Sequence, residues 1–161
     1  MHLTEEQRCL LWLSSGKVTP PHAAMLAEAY GGPQGVWDAF GSQGGPDFPE
    51  QARRTLTQLH SRAAMDGLVA RLEQKNVRLL FRDDERYPGG LAKLDDAPYL
   101  LYYAGSLDCL ERPMVALVGT RRSSAYGREM ARMLTRGLCD AGVCVGSGLA
   151  IPHAKSTAVR A

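Results

Sequence analysis

Residues 115–148 constrain the fold most. Val115-Ala-Leu-Val118 is a short apolar run that enters Gly119-Thr120-Arg121-Arg122-Ser123-Ser124, and Gly127 follows at the opening of a helix. Along that helix Arg128, Arg132 and Arg136 recur at spacing four, while Ala131, Leu134, Leu138 and Ala141 are expected to form an opposing apolar stripe. Gly142 ends it, and Val143-Cys-Val145 leads into a second small-residue turn, Gly146-Ser147-Gly148. Strand, helix and strand in this order form one right-handed crossover unit, which brings both turns to the same edge of a parallel sheet.

Turns of this kind suit phosphate. Gly119 lets backbone approach an anion, Arg121 and Arg122 supply cationic forks, Ser123 and Ser124 bring hydroxyls, and the helix N-terminus near Gly127 directs N–H groups at the ligand. The competing reading is structural, since a glycine after a strand is also the ordinary way to turn into a helix, and arginines at this spacing are commonly a solvated face. Charge distribution favours a polyanion. Residues 112–161 hold eight Lys or Arg against two Asp or Glu, whereas residues 1–65 hold five against six and residues 66–111 six against nine. An overall charge of +2 hides this local excess.

Other chemistries lack their apparatus. The four cysteines have no Cys-x-x-Cys spacing, the four histidines are scattered, and neither a His-Glu-x-x-His nor a Gly-x-Ser-x-Gly pattern occurs. Neither metal nor cofactor is expected, and no disulfide. The N-terminus has no basic and apolar signal pattern and no apolar run approaches a membrane span, so a cytoplasmic location is expected.

The first 65 residues read as a small helical module. Thr4 and Gln7 form a capping box before Leu10, Leu11 and Leu13, and Thr19-Pro20 opens a second helix carrying Met25, Leu26 and Tyr30. Helices around Val36, Trp37 and Phe40 and around Leu56 and Leu59 follow, separated by a Gly/Pro-rich loop. The Ser14–Val18 turn has a weak likeness to a helix-hairpin-helix, but the next helix opens with Thr-Pro-Pro. From residue 66 the pattern alternates: a helix over 65–75, a strand over 77–81, and a strand over 99–103 entered through Pro98. This alternation predicts an α/β parallel sheet. Asp83–Glu85 reads as a solvated acidic turn, and Tyr99, Tyr102 and Tyr103 as packing residues that could otherwise stack on bases.

Several motifs in order carry a family resemblance: Asp84-x-x-Tyr87-Pro88, Ala97-Pro98-Tyr99-Leu100-Leu101-Tyr102 with Gly105, Val118-Gly119-Thr120-Arg121, Tyr126-Gly127, and Ser147-Gly148-Leu149-Ala150. Residues 66–150 resemble the DNA-processing DprA (Smf) family. The resemblance implies a SAM-like helical module over 1–65 and the first part of a Rossmann-like parallel domain over 66–161. It implies a protein that binds single-stranded DNA without catalysing a reaction, that protects incoming strands in natural transformation, and that loads the RecA recombinase. Gly119, Arg121, Ser123, Ser124, Gly127, Ser147 and Gly148 would line the DNA pocket, with Arg121 the strongest candidate and Arg122 beside it.

The tail departs from the family pattern. Where the family continues into Gly-Ile-Asp and Ala-His signatures, this chain runs Ile151-Pro152-His153-Ala154-Lys155, and His153 is not equated with the family histidine. An incomplete core is therefore expected, from a truncated or frameshifted sequence or a fragment, with dimerisation and RecA contact in doubt. Three alternatives stay open. A lysine-decarboxylase-like phosphoribohydrolase shares Gly/Ser phosphate turns, yet its Pro-Gly-Gly-x-Gly-Thr loop is missing. A dinucleotide oxidoreductase would need Gly-x-Gly-x-x-Gly. A nonfunctional remnant would be unfolded.

Overall fold

The computed structural model describes residues 1–120 and 123–148; Arg121, Arg122 and the segment 149–161 lie outside them. The chain is a mixed α/β protein in two compact units, Met1–Gly105 and Ser106–Ala161. The expected division at 65/66 followed the change from helical to alternating pattern. Compactness divides the chain elsewhere, because the first two strands share a unit with the helices.

In the first unit, α1 (Glu5–Ser15) starts at a complete capping box: Thr4 Oγ1 accepts the Gln7 N–H at 3.2 Å, and Gln7 Oε1 accepts the Thr4 N–H at 3.1 Å. Thr19 stands at the N-cap of α2 (Pro20–Tyr30) without a side-chain cap bond, leaving Pro20 as the start signal. Then come α3 (Pro33–Ala39), α4 (Glu50–Leu59) and α5 (Arg62–Gln74), the last capped by Ser61. Leu11, Trp12 and Leu13 are fully buried, and so are Val36 and Leu56. The Trp12 indole donates to Leu56 O (2.9 Å) and meets Trp37 and Phe40 edge-on with ring centroids 5.0 Å apart. Gly16 is placed by this packing. A Cβ there would lie 2.7 Å from the Leu56 side chain, so the turn after α1 needs a residue with none.

β1 (Arg78–Phe81) and β2 (Leu100–Tyr103) pair antiparallel, with Arg78 opposite Tyr103 and Phe81 opposite Leu100. This corrects the expected parallel arrangement of these two strands. A parallel return needs a crossover of about a dozen residues, usually helical; between β1 and β2 the only helix is α6 (Gly89–Ala92). The connection is instead a clamped turn. Asp84 accepts the Arg86 N–H at 2.9 Å, and the Tyr87 hydroxyl donates to Pro98 O at 2.6 Å. Leu79, Phe81 and Leu100 join the helical core. Tyr99 and Tyr102 donate to Val18 O (3.0 Å) and Ser14 Oγ (3.1 Å), which binds β2 to the turn after α1.

In the second unit a 3-10 turn (Asp108–Glu111) precedes β3 (Met114–Ala116), α7 (Ala125–Asp140) and β4 (Cys144–Gly146). β3 and β4 pair parallel, Met114 with Cys144 and Ala116 with Gly146, and Leu117 N–H to Gly146 O (2.8 Å) extends the ladder. The crossover is helical, as a parallel pair requires. Among the described residues each sheet has two strands, and no full Rossmann sheet is present.

The expected apolar stripe of α7 is only partly covered. Ala131 and Thr135 are buried and Leu138 is half-buried, but Leu134 is 48% exposed and Ala141 is exposed. Two short strands cannot cover a sixteen-residue helix, so the buried seam narrows to the side that meets them.

Candidate nucleic-acid interface

The parallel pairing brings the two turns together, because β3 and β4 run in one direction and their C-terminal ends coincide. A cavity of about 290 Å³ opens there. Gly119, Ser123, Ser124, Gly127 and Ser147 all line it, with Met130 and Leu134 of α7 as its apolar side. Gly148 is exposed and outside this lining. Arg121 and Arg122 lie outside the described residues.

Local structure assigns the serines unequal parts. The helix starts at Ala125 rather than at Gly127, and Ser124 is its N-cap: Ser124 Oγ accepts the Gly127 N–H at 3.1 Å. That N–H is thereby used inside the helix, while the Ser124 hydroxyl proton remains for donation. A Cβ on Gly127 would sit 3.4 Å from Ser124 Oγ, an ordinary contact, so this glycine keeps the cavity wall low and is not demanded by the turn. Ser123 Oγ is buried and has no hydrogen-bond partner among the described residues, and Thr120 is engaged in an interaction of its own.

The three arginines do not behave alike. Arg128 folds back so that Nη1 donates to Ser123 O at 2.7 Å, which braces the loop before the helix. Arg132 pairs with Glu129 at 3.2 Å, and Arg136 is exposed. Spacing singled out Arg128 as one of three basic residues on a helix face but not its part in bracing this loop. Its place in the first helical turn, four residues after the N-cap serine, is the signal that could have found it. Among the described residues, no three His, Cys, Asp or Glu side chains are placed to hold a metal ion, and no helix is long and apolar enough to cross a membrane.

The chain is thus a mixed α/β protein with an open, Gly- and Ser-lined cavity at the carboxyl ends of a parallel strand pair, the position at which open α/β sheets commonly bind ligands. Residues 78–156 match the model of the DNA recombination-mediator protein A family, and the chain belongs to this DprA/Smf family. It is 36% identical to Protein Smf of Escherichia coli (strain K12) over 100 residues, covering 62% of this chain and 26% of that protein. It is 45% identical to DNA processing protein DprA of Streptococcus pneumoniae (strain ATCC BAA-255 / R6) over 67 residues, 42% of this chain and 23% of that one. Protein Smf of Synechocystis sp. matches at 38% over 82 residues, 48% of this chain and 21% of that protein. The chain spans about a quarter of the length of these relatives.

Proposed function

We propose that the chain is a single-stranded DNA-binding module of the recombination and transformation machinery, acting by grip and not by catalysis. The observation that carries this reading is the convergence of Gly119, Ser123, Ser124, Gly127 and Ser147 on one cavity, within the stretch that matches the recombination-mediator family. Backbone amides and hydroxyls there hold phosphates without reading bases, and Arg121 and Arg122 supply the charge that this neutral lining lacks. The incomplete Rossmann-like domain would be the scaffold. RecA loading and self-dimerisation are ascribed to the intact family and are not proposed for this chain; a cytoplasmic location, where recombination takes place, belongs to the same proposal.

Fluorescence anisotropy of a labelled single-stranded oligonucleotide tests it on chain shown by circular dichroism to be folded. Affinity is expected to fall steeply between about 50 and 200 mM salt, with a log–log slope of roughly −0.7 per phosphate contacted. Arg121→Ala is expected to weaken binding uniformly across sequences and to lower that slope by about 0.7. Folded Arg121→Ala protein that binds as tightly as the parent removes Arg121 from the site.

A further inference from the structure

Three of the four cysteines meet at the end of the second unit opposite the Gly/Ser cavity. All four are free thiols, and their spacing in the sequence gives no sign of the gathering. Because β3 and β4 are parallel, their N-terminal ends coincide as their C-terminal ends do. Cys144 is the first residue of β4, and its N–H donates to Pro113 O at 2.8 Å, just before β3. Cys109 stands in the 3-10 turn Asp108–Glu111 that leads into β3. Cys139 lies in the last turn of α7, where Gly142 N–H to Cys139 O and Val143 N–H to Leu138 O, both 2.9 Å, return the chain to β4.

The side chains complete the grouping. Cys109 and Cys144 share a hydrogen bond, and Cys139 and Arg112 act on Cys144 through their charges. Cys109 Sγ also donates to Ser106 O at 3.9 Å. Burial first, then the hydrogen bond with Cys109 and the charges of Cys109 and Cys139, raise the Cys144 thiol above its usual range against the pull of Arg112, so Cys144 keeps its proton. Among the described residues no three side chains are placed to hold a metal ion. The grouping is therefore a bonded pair with a neighbour and not a chelating triad. Cys9 is set apart from it, buried in the first unit, where burial chiefly pushes its thiol up to about 12. A hydrogen-bonded pair of half-buried thiols suits two-electron oxidation, since sulfurs so placed lie within reach of the ~2.05 Å of a disulfide bond.

We propose that Cys109 and Cys144 form an oxidation site, closed to an intramolecular disulfide by hydrogen peroxide. The Cys109 thiolate attacks one peroxide oxygen; an S–O bond forms, the O–O bond breaks, and the departing hydroxide takes up the proton that Cys109 released. Cys144 sulfur then attacks Cys109 sulfur, the S–O bond breaks, and the leaving hydroxide carries away the Cys144 proton as water. Two thiols and one peroxide give one disulfide and two waters, the sulfurs supplying both electrons. The bond fastens the turn before β3 to the start of β4, at the end away from the cavity, and does not depend on the DNA reading.

The test treats the full chain, shown folded by circular dichroism, with hydrogen peroxide, alkylates the remaining thiols, and maps disulfides by mass spectrometry after cleavage before Asp140, which separates Cys139 from Cys144. Cys109–Cys144 is expected to outnumber every other pairing about tenfold or more, as fixed geometry outweighs chain diffusion. Cys9 and Cys139 are expected to stay alkylated, and Cys139→Ser is expected to keep the bond. In urea the prevailing pair is expected to become Cys139–Cys144, the closest in sequence, because the shortest loop closes at the least entropic cost. The proposal is overturned if Cys139 enters the bond in folded chain, if only intermolecular disulfides form, or if Cys109 stops at sulfenic or sulfinic acid. The same mixture of pairings in folded chain and in urea overturns it equally.

Discussion

The two units solve the burial problem with different success. In Met1–Gly105, Leu11, Trp12, Leu13, Val36 and Leu56 are removed from solvent, and the sheet pair contributes Leu80 and Phe81. Among the described residues of the second unit only Ala131 and Thr135 are buried, while Val118, Tyr126, Met133 and Leu134 are 88%, 74%, 57% and 48% exposed. Short helices joined by tight turns can close a core from neighbours in sequence. A parallel strand pair with one crossover helix covers one face only, and needs further elements for the other. The better closed region is thus the helical one, and the candidate DNA cavity sits in the more open one.

The largest expected effect tests the closed core. Trp12→Ala empties the centre of the aromatic cluster and leaves Leu56 O without its donor, and a loss of roughly 3–5 kcal/mol is expected from denaturant unfolding of the first unit. A loss below about 1 kcal/mol would break the comparison, since the core would then not depend on its best-buried ring. Gly16→Ala comes next. The added methyl would lie 2.7 Å from the fully buried Leu56 side chain, and overpacking of this kind costs about 1–3 kcal/mol.

Ser124→Ala probes the open region. Removing the N-cap of α7 is expected to cost about 1 kcal/mol and, in hydrogen exchange, to accelerate the amides of its first turn, above all Gly127. Protection unchanged at Gly127 would sink the capping role. The smallest effect is a pH dependence at the turn between β1 and β2. Hydrogen bonds from the Arg86 side chain, then its backbone, hold the Asp84 carboxyl below its usual range. A group so lowered stabilises the fold above its unfolded value, and the contribution disappears as pH falls through the folded value. Asp84 is exposed enough that solvent screens the pair, so Asp84→Asn is expected to flatten acid sensitivity only slightly, as read from thermal midpoints across acidic pH. A marked flattening would show the turn to be a stronger clamp than its exposure implies.

What was legible in the chain was local. The Thr4–Gln7 capping box needs four residues and forms as written. The crossover unit from β3 to β4 was readable because its helix lies between two apolar runs and its turns are made of Gly and Ser. The direction of β1 against β2 was not readable, since short apolar runs look alike in parallel and antiparallel sheets. The candidate site was legible by residue type more than by part: Ser123, Ser124 and Ser147 share a cavity, yet nothing in their spacing separates the capping serine from the other two.

The sequence by itself determined where helices start, where strands alternate with them, and which small and basic residues stand after β3, because caps, periodicity and glycine preferences act within a few residues. Tertiary structure decided what crosses those distances. It turned β2 back along β1 and seated both on the helices through Tyr99 and Tyr102. It folded Arg128 onto Ser123 O, and it narrowed the buried face of α7 to Ala131 and Thr135. Pairing direction and burial depend on which surfaces meet, and that is a property of the packed chain.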